Sequence, residues 1–318
     1  MESIPVAVVG VGAFGKQHAR VYAGLPEAEL VAVVDADLER AREVASEFGC
    51  DALSDIAQLA GRVQACSLAV PTEAHSQAGV RLLEAGFDLL VEKPIAPDLE
   101  AADALIASAE THGRVLQVGH LERFNPIVEA AIGAATLPLF FEVHRMSPFS
   151  PRSLDIDVVL DLMIHDLDIL LTLVNSSVDR IEATGLPVIS KQADIASVRI
   201  VFENGCVANL TASRISTEKI RKLRFFQPRQ YVSADYARRE GVRIGLDEGQ
   251  TLQFERLVVE DGEPLERQLR SFIEAVKTRA KPRVNGQDAR RALELALRIR
   301  KAIDRHAKVV EATIAANQ

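Results

Sequence analysis

The sequence is poor in the features that mark several classes of protein. Its 318 residues include three cysteines, no tryptophan and only 5% aromatic residues. The cysteines, Cys50, Cys66 and Cys206, are far apart and form neither a disulfide framework nor a zinc-binding pattern. The apolar run near the N-terminus has no basic segment before it and is too short to span a bilayer. These absences argue against a secreted or membrane protein, and we predict a cytoplasmic one.

The chain also has fewer basic than acidic residues. The chain has 37 lysines and arginines against 45 acidic residues, a formal net charge of -8. Such a charge repels nucleic acid and anionic lipid, so we expect neither as a partner and predict small-molecule chemistry. The length is about twice that of an ordinary domain of ~150 residues, which favours two domains.

A glycine-rich turn follows the first apolar segment. Ile4–Val9 is typical of a buried parallel strand, and the sequence Gly-Val-Gly-Ala-Phe-Gly, residues 10–15, comes directly after it. A lone G-x-G-x-x-G is weak evidence, but here a predicted helix follows at 16–23. A second predicted strand, 30–34, then ends at Asp35, 20 residues beyond Gly15. This order of elements predicts a dinucleotide-binding βαβ unit.

Each residue of this unit has an expected role. Gly10 permits the tight turn, Gly12 lets the backbone approach a pyrophosphate, and Gly15 lets helix and strand pack closely. Asp35 accepts hydrogen bonds from the adenosine ribose hydroxyls and repels the 2′-phosphate of NADP, and Asp37 adds to that repulsion. We therefore predict NAD as the cofactor. The alternative is that Asp35 only caps the next helix.

Strands and helices continue to alternate up to residue 118, which predicts a doubly wound parallel sheet. Pro71-Thr72 and Glu92-Lys93-Pro94 follow predicted strands, where ligands bind in open α/β sheets, so we expect both loops to face the nicotinamide. Lys93 in this position could polarise a substrate oxygen. The alternative is a solvated surface lysine. For Glu92, a ribose contact and a structural ion pair are equally compatible with the sequence.

The second half contains a polar group on an apolar helix, predicted at 158–174. Asp161, His165 and Asp168 are spaced i, i+4 and i+7, which places them on one face of an α-helix. A lone histidine on such a helix is usually a satisfied core residue. Acidic neighbours instead favour a catalytic base, with Asp161 as the partner that fixes its tautomer. A bare D-x-x-x-H-x-x-D is a weak metal pattern, and we predict no metal site.

Several motifs resemble those of the glucose-fructose oxidoreductase and inositol dehydrogenase family, over nearly the whole chain. They are the turn at 10–15 with His18 after it, Pro71-Thr72-Glu73-Ala74-His75, Glu92-Lys93-Pro94, and Asp161-Leu162-Met163-Ile164-His165-Asp166. The resemblance implies that Lys93 contacts the substrate hydroxyl, Pro94 shapes the nicotinamide pocket and His165 is the acid or base. The cofactor-binding residues are then predicted as Gly10, Gly12, Ala13, Phe14, Gly15, Asp35, Pro71, Thr72, His75, Glu92 and Pro94.

Two further segments, 119–126 and 212–216, are similar to those of the sugar-nucleotide members of that family, which oxidise the 3-hydroxyl of UDP-N-acetylglucosamine. This likeness implies that Glu122, Arg123 and Asn125 bind substrate. The stretch 214–224 carries five basic residues and one acid, and we predict that Arg214 and Lys222 bind the nucleotide diphosphate. The alternative is an exposed β-edge protected by charge, or an oligomer contact.

The fold class predicted from these patterns is α/β. A Rossmann domain, residues 1–122, precedes an α+β catalytic and oligomerisation domain, residues 123–318, with an open, largely antiparallel sheet. The turn Glu203-Asn204-Gly205 predicts a hairpin with positive φ at its two central residues. One sheet face should pack on the helix at 158–174, and a second subunit should cover the other, giving a homo-dimer or homo-tetramer. The resemblance implies that the last helix, 288–307, packs back on the first domain.

Two other functions remain compatible with the fold. One is a dehydrogenase of a free polyol or aldose, which needs no site for a pyrophosphate-linked substrate. The other is a non-catalytic sensor of NAD or sugar. The presence of both Lys93 and His165 favours an enzyme over the sensor.

Overall fold

The computed structural model describes residues 3–150, 156–247 and 249–316. The chain divides into two compact units, Met1–Phe124 with Gly262–Arg290 and Asn125–Asp261 with Arg291–Gln318. Each unit is built around one sheet. The functional domains expected from the sequence, 1–122 and 123–318, and the packing of the last helix stay predictions.

The first unit contains a six-stranded sheet in the order β3-β2-β1-β4-β5-β6, with every neighbouring pair parallel. Its central strands are short apolar runs that are buried on both faces, as a parallel sheet requires. This order is that of a doubly wound dinucleotide-binding fold, so the predicted Rossmann architecture is confirmed. The strands are β1 (Ile4–Val9), β2 (Ala28–Val34), β3 (Asp51–Leu53), β4 (Ala65–Leu68), β5 (Asp88–Glu92) and β6 (Leu116–Gly119).

Eight α-helices lie in the described residues: α1 (Ala13–Gly24), α2 (Leu38–Phe48), α3 (His75–Glu84), α4 (Leu99–Thr111), α5 (Pro126–Gly133), α6 (Ile164–Leu173), α7 (Pro264–Thr278) and α8 (Gly286–Ala316). Short 3-10 helices occur at Ile56–Leu59, Thr72–Ala74 and Leu121–Phe124. The apolar face of α7, with Leu269 and Phe272, joins the core of the first unit beside Val6, Val8 and Tyr22. None of the helices described is both long and apolar enough to cross a membrane.

The second unit contains an eight-stranded sheet in the order β14-β13-β12-β11-β7-β10-β9-β8. All neighbours are antiparallel except β7 and β10, so the predicted open, largely antiparallel sheet is confirmed. Burial alternates along β7 and β11, which leaves one sheet face packed and the other half-exposed. The strands are β7 (Phe140–Met146), β8 (Val178–Leu186), β9 (Ile195–Phe202), β10 (Val207–Ser213), β11 (Ile220–Gln227), β12 (Gln230–Asp235), β13 (Glu240–Leu246) and β14 (Leu252–Arg256).

The predicted hairpin joins β9 to β10, but its turn differs from the expected one. Only Gly205 has a positive φ, at 84°, and its N–H donates to the Phe202 carbonyl. Phe202 in turn donates to the Cys206 carbonyl at 2.9 Å. This is a three-residue loop with glycine in the left-handed position, so Asn204 does not need the strained conformation that a two-residue turn imposes.

Candidate active site

The glycine turn between β1 and α1 is built as the sequence predicted. Gly10 has a φ of 83°, and a Cβ there would lie 2.7 Å from the Val70 backbone nitrogen. A Cβ on Gly15 would lie 1.8 Å from the Gly10 carbonyl oxygen. At Gly12, by contrast, a Cβ would meet nothing within 4 Å, so the space in front of the α1 N-terminus is open. Open space at a helix N-terminus fits a pyrophosphate.

Asp35 faces this turn from the end of β2. Its carboxylate is largely buried and accepts hydrogen bonds from the Val11 and Asp37 backbone N–H groups, both at 2.9 Å. The N-cap of α2 is Asp37, which accepts from the Arg40 N–H. Asp37 therefore fills the capping role that was the alternative for Asp35.

A cleft of about 660 Å³ lies in the first unit between these elements. Gly10, Gly12, Asp35 and Pro71 all line it, so the structure brings together four of the predicted cofactor-binding residues. The open helix end and the buried carboxylate on its walls match the phosphate and ribose of a dinucleotide, so the residues present fit NAD. The other predicted contacts from this part of the chain lie nearby in sequence: Ala13 and Phe14 begin α1, and Thr72 begins a 3-10 helix.

His75, a predicted cofactor contact, lies at the start of α3. Its ring is buried, and its two nitrogens lie 2.8 Å from the Pro94 carbonyl oxygen and 2.9 Å from the Val70 carbonyl oxygen. Burial lowers the pKa of His75, and the two carbonyl groups oppose that shift. A neutral imidazole carries one N–H and donates to only one of these carbonyls at a time, while its ring lies between the loops after β4 and β5.

Glu92 lies among internal polar groups. Its Oε1 is 3.3 Å from His18 Nε2 and accepts from Gln268 Nε2 at 3.4 Å, while Oε2 accepts from the Lys93 N–H at 3.3 Å. A Cβ on Gly119 would lie 2.2 Å from Oε1, so a larger residue there would require this carboxylate to move. These contacts support the structural alternative for Glu92. Lys93 is half-buried directly after β5, and the Lys93–Pro94 peptide is cis.

The segment after β6 adds a buried polar group that the sequence analysis did not single out. His120 is fully buried, and burial, followed by the positive charges of Arg123 and Lys93, lowers its pKa to about 3. Glu122 and Arg123 are also buried, and Arg123 donates to the Arg283 carbonyl at 3.2 Å. The signal available in the sequence was the position of His120 at the carboxyl end of a strand.

In the second unit, the segment that carries His165 is not a continuous α-helix. Asp157 caps it by accepting from the Val159 and Leu160 N–H groups, and Val159–Met163 then forms a π-helix before α6 begins. The prediction that Asp161 and His165 share a face assumed a continuous α-helix, and the structure replaces its first part by this π-turn. The pairing of Asp161 with His165 stays a prediction. From Ile164 onward the segment is α-helical, so His165 and Asp168 keep the predicted i, i+3 spacing. A π-turn is often found at a functional site.

A buried ion pair fixes α6 to the sheet one residue beyond His165. Arg145 on β7 donates to both carboxylate oxygens of Asp166, from Nε at 2.7 Å and Nη2 at 2.9 Å. Both side chains are almost completely buried, and the Arg145 guanidinium lies over the Tyr236 ring. Asp168 is buried as well, whereas His165 is half-buried. Arg145 was missed because its position on a strand shows no pattern.

Arg214 and Lys222 are not neighbours in the structure. Arg214 is buried after β10, where it pairs with the buried Asp194 at 3.6 Å and donates to the Ile156 carbonyl. Lys222 is on β11, with β7 between the two strands, and its Nζ lies 3.8 Å from Asp235 on the half-exposed face. Arg224 pairs with Glu142 on that face. The alternative of an exposed β-edge is wrong for Lys222 and Arg224, because β11 lies inside the sheet between β12 and β7. Their cross-strand pairs instead form a charged sheet surface.

Asn125 begins α5 as its N-cap, with its side chain accepting from the Ile127 N–H at 3.4 Å. It is buried, as are Glu122 and Arg123. Across the described parts of the chain, no three histidine, cysteine or acidic side chains are grouped so that they could hold a metal ion.

The fold and the cleft define the class: this is a dinucleotide-binding protein of the Rossmann type. Comparison with known proteins gives the family. Residues 4–120 match the oxidoreductase family with an NAD-binding Rossmann fold, and residues 141–230 match the GFO/IDH/MocA C-terminal domain. The chain belongs to the GFO/IDH/MocA family of NAD-binding oxidoreductases, as its motifs predicted.

Individual relatives cover almost the full chain. The UDP-N-acetylglucosamine 3-dehydrogenase of Acidithiobacillus ferrooxidans is 36% identical over 93% of this chain and 96% of its own length. A solved structure of that enzyme superposes with a TM-score of 0.90 at 35% identity, over 95% of this chain and 98% of the other. An inositol 2-dehydrogenase of Rhizobium meliloti is 26% identical over 92% of this chain and 95% of its own. The protein is thus an NAD-dependent oxidoreductase.

Proposed function

We propose that this protein oxidises the 3-hydroxyl of UDP-N-acetylglucosamine or of a related sugar nucleotide. One observation carries the proposal: the 36% identity to a UDP-N-acetylglucosamine 3-dehydrogenase extends over 93% of the chain. The segments 119–126 and 212–216, whose sequences resemble those of sugar-nucleotide dehydrogenases, support the same substrate class.

The first unit holds the cofactor in this proposal. The open space beside Gly12 accepts the pyrophosphate at the start of α1, where unpaired helix N–H groups favour an anion. Asp35 accepts hydrogen bonds from the adenosine ribose hydroxyls. When bound, NAD supplies the hydride acceptor. His75 stays a predicted cofactor contact, and its ring lies between the Pro71 loop and the Lys93–Pro94 loop.

Lys93 and His165 serve the reacting hydroxyl. As the C–H bond at carbon 3 breaks and its hydride leaves, the O–H bond also breaks and the proton passes to an imidazole nitrogen of His165. The Lys93 ammonium donates a hydrogen bond to the same oxygen and stabilises the negative charge that develops there. Asp161 lies in the π-turn, four residues before His165, and is the candidate partner of the protonated imidazole. The organic product is a 3-keto sugar nucleotide.

The substrate is proposed to contact residues from three segments of the chain. Glu122, Arg123 and Asn125 are candidates for the hexose. Arg214 and Lys222 stay predicted ligands of the diphosphate, although each already has a carboxylate close by. Loss of nucleotide binding in Arg214→Ala and in Lys222→Ala would support the assignment. Indifference of binding to both changes would instead favour the charged sheet surface.

A second copy of the chain covers the half-exposed sheet face in this proposal. That face carries Phe226, and the edge strand β14 exposes Leu252 and Phe254 at 68% and 63%. Apolar groups in such number on one face are typical of a protein contact. Sedimentation of the protein and of Phe226→Glu measures the association state. A monomeric wild-type protein would contradict the oligomer.

The substrate is tested by following NADH formation with four compounds. These are UDP-N-acetylglucosamine, N-acetylglucosamine, glucose and myo-inositol, each supplied with NAD. The proposal predicts that the nucleotide is oxidised faster than the three others, because only it carries the diphosphate. Faster oxidation of myo-inositol would favour the second candidate, an inositol dehydrogenase, which the 26% identity to such an enzyme supports. NAD binding with no turnover of any sugar would favour a sensor.

A further inference from the structure

The adenosine end of the cofactor cleft contains an arginine that the predicted NAD site does not use. Arg40 lies on the first turn of α2 and lines the cleft together with Gly12 and Asp35. We infer that Arg40 is a latent ligand for a 2′-phosphate, occupied by Asp35 and Asp37 and released for NADP when Asp35 is removed.

The contacts of Arg40 place its guanidinium where the ribose 2′-position is recognised. Its Nη1 lies 3.3 and 3.4 Å from the two carboxylate oxygens of Asp35, the residue that meets the ribose. Its Nη2 donates to Asp37 Oδ2 at 3.1 Å. Both carboxylates therefore draw the same guanidinium toward the ribose end of the cleft.

The charges explain why this arginine does not by itself select NADP. Two carboxylates against one guanidinium leave one net negative charge at this end of the cleft, which repels a 2′-phosphate. Replacing Asp35 by a neutral residue leaves one carboxylate and one guanidinium. The donors that faced Asp35 then become available to the phosphate, and the planar guanidinium matches phosphate geometry. Replacement of Asp35 alone is therefore sufficient, without a second substitution that adds an arginine.

Arg40 can reorient because its side chain is about half-exposed, at 48%, whereas that of Asp35 is 9% exposed. Asp35 is held by two backbone N–H groups, so the carboxylate is the fixed partner and the arginine the mobile one. A second arginine, Arg81, also lines the cleft and lies 3.7 Å from Asp55. It is the competing candidate for a phosphate ligand.

The test measures NAD and NADP binding by calorimetry, without substrate, in Asp35→Ser. We expect NADP affinity to rise at least about tenfold over wild type, the change that one charge-assisted hydrogen bond supplies. Asp35→Ser/Arg40→Ala should lose that gain. Asp35→Ser/Arg42→Ala should keep it, because Arg42 pairs with Glu39 on an exposed part of the same helix.

Two outcomes overturn the inference. One is an Asp35→Ser protein that folds, as judged by circular dichroism, yet binds NADP no better than wild type. The other is a gain in NADP affinity that Asp35→Ser/Arg40→Ala retains. If Asp35→Ser/Arg81→Ala then loses this gain, the phosphate ligand is Arg81. If Asp35→Ser does not fold, Asp35→Asn replaces it in every arm. Asparagine keeps one acceptor oxygen for the Val11 or Asp37 N–H while removing the charge.

Discussion

The two sheets of this protein present their chemistry in different ways. In the six-stranded parallel sheet, β4 and β5 are buried along their whole length, so polar side chains are found at the carboxyl ends of the strands. In the eight-stranded sheet, burial alternates, and a polar side chain such as Arg145 reaches the helix packed on the inner face. The first sheet positions its cofactor cleft through backbone turns, whereas the second holds the helix that carries His165 through a side-chain pair.

Breaking a side-chain pair in the second sheet should have the largest effect on stability. Asp166→Ala leaves the buried Arg145 without its carboxylate, which is expected to cost about 3–5 kcal/mol of unfolding free energy. Arg145→Met/Asp166→Leu should recover most of that loss, since neither charge is then buried alone. Denaturant unfolding measures both, with the exposed Asp179→Ala as the control. An Asp166→Ala protein as stable as the control would show that this pair does not hold α6.

Changing a backbone turn in the first sheet should separate folding from cofactor binding. A methyl group on Gly15 collides with the Gly10 carbonyl, so Gly15→Ala should lose about 3 kcal/mol or more together with NAD binding. Gly12→Ala meets no neighbour and should keep its stability while NAD binding weakens, because the methyl group enters the pyrophosphate space.

Unfolding curves and NAD titrations of both variants test this difference. Gly24→Ala, where a Cβ also meets nothing within 4 Å, is the control at the far end of α1. Unchanged NAD affinity in Gly12→Ala would show that the pyrophosphate does not bind beside Gly12.

A smaller effect should appear as acid sensitivity of the first unit. The pKa of His120 is about 3 when folded, below the value near 6.5 expected in the unfolded chain. The unfolded state therefore binds more protons between these pH values, so stability is full above pH 6.5 and falls as the pH is lowered. At pH 5 the loss from this one group is about 2 kcal/mol.

His120→Asn should flatten the pH dependence of the unfolding free energy between pH 7 and pH 5 by that amount. The comparison uses the slope of the unfolding free energy with pH. A loss of stability that is the same at every pH does not change this slope. His112→Asn on the exposed end of α4 serves as the control. Equal slopes in wild type and His120→Asn would mean that His120 is not the group concerned.

The same contrast explains what could be predicted from the sequence. The first sheet was predictable because short apolar strands, glycines and Asp35 follow one another in order along the chain. Its strand β3, three residues long, was missed because Asp51-Ala52-Leu53 forms no apolar run. The partners of Glu92 were also missed, since Gln268 is 176 positions away and only the folded chain brings the two together.

The second sheet was predictable as a set of strands, but its site was less so. The pattern of apolar residues identified the helical segment around His165, yet it carries no signal for the π-turn at Val159–Met163. In the sequence, the basic residues of 214–224 form one cluster. The structure instead separates Arg214 from Lys222, because β7 lies between β10 and β11.

The central claim is that Lys93 and His165 perform the chemistry while the glycine turn and Asp35 hold NAD. The most direct measurement is the rate of NADH formation in Lys93→Met and His165→Asn, using the preferred compound of the substrate panel, together with NAD affinity in the same proteins. The account predicts a loss of turnover of about 10²-fold or more in each variant, with NAD affinity nearly unchanged. Wild-type turnover in either variant would contradict it.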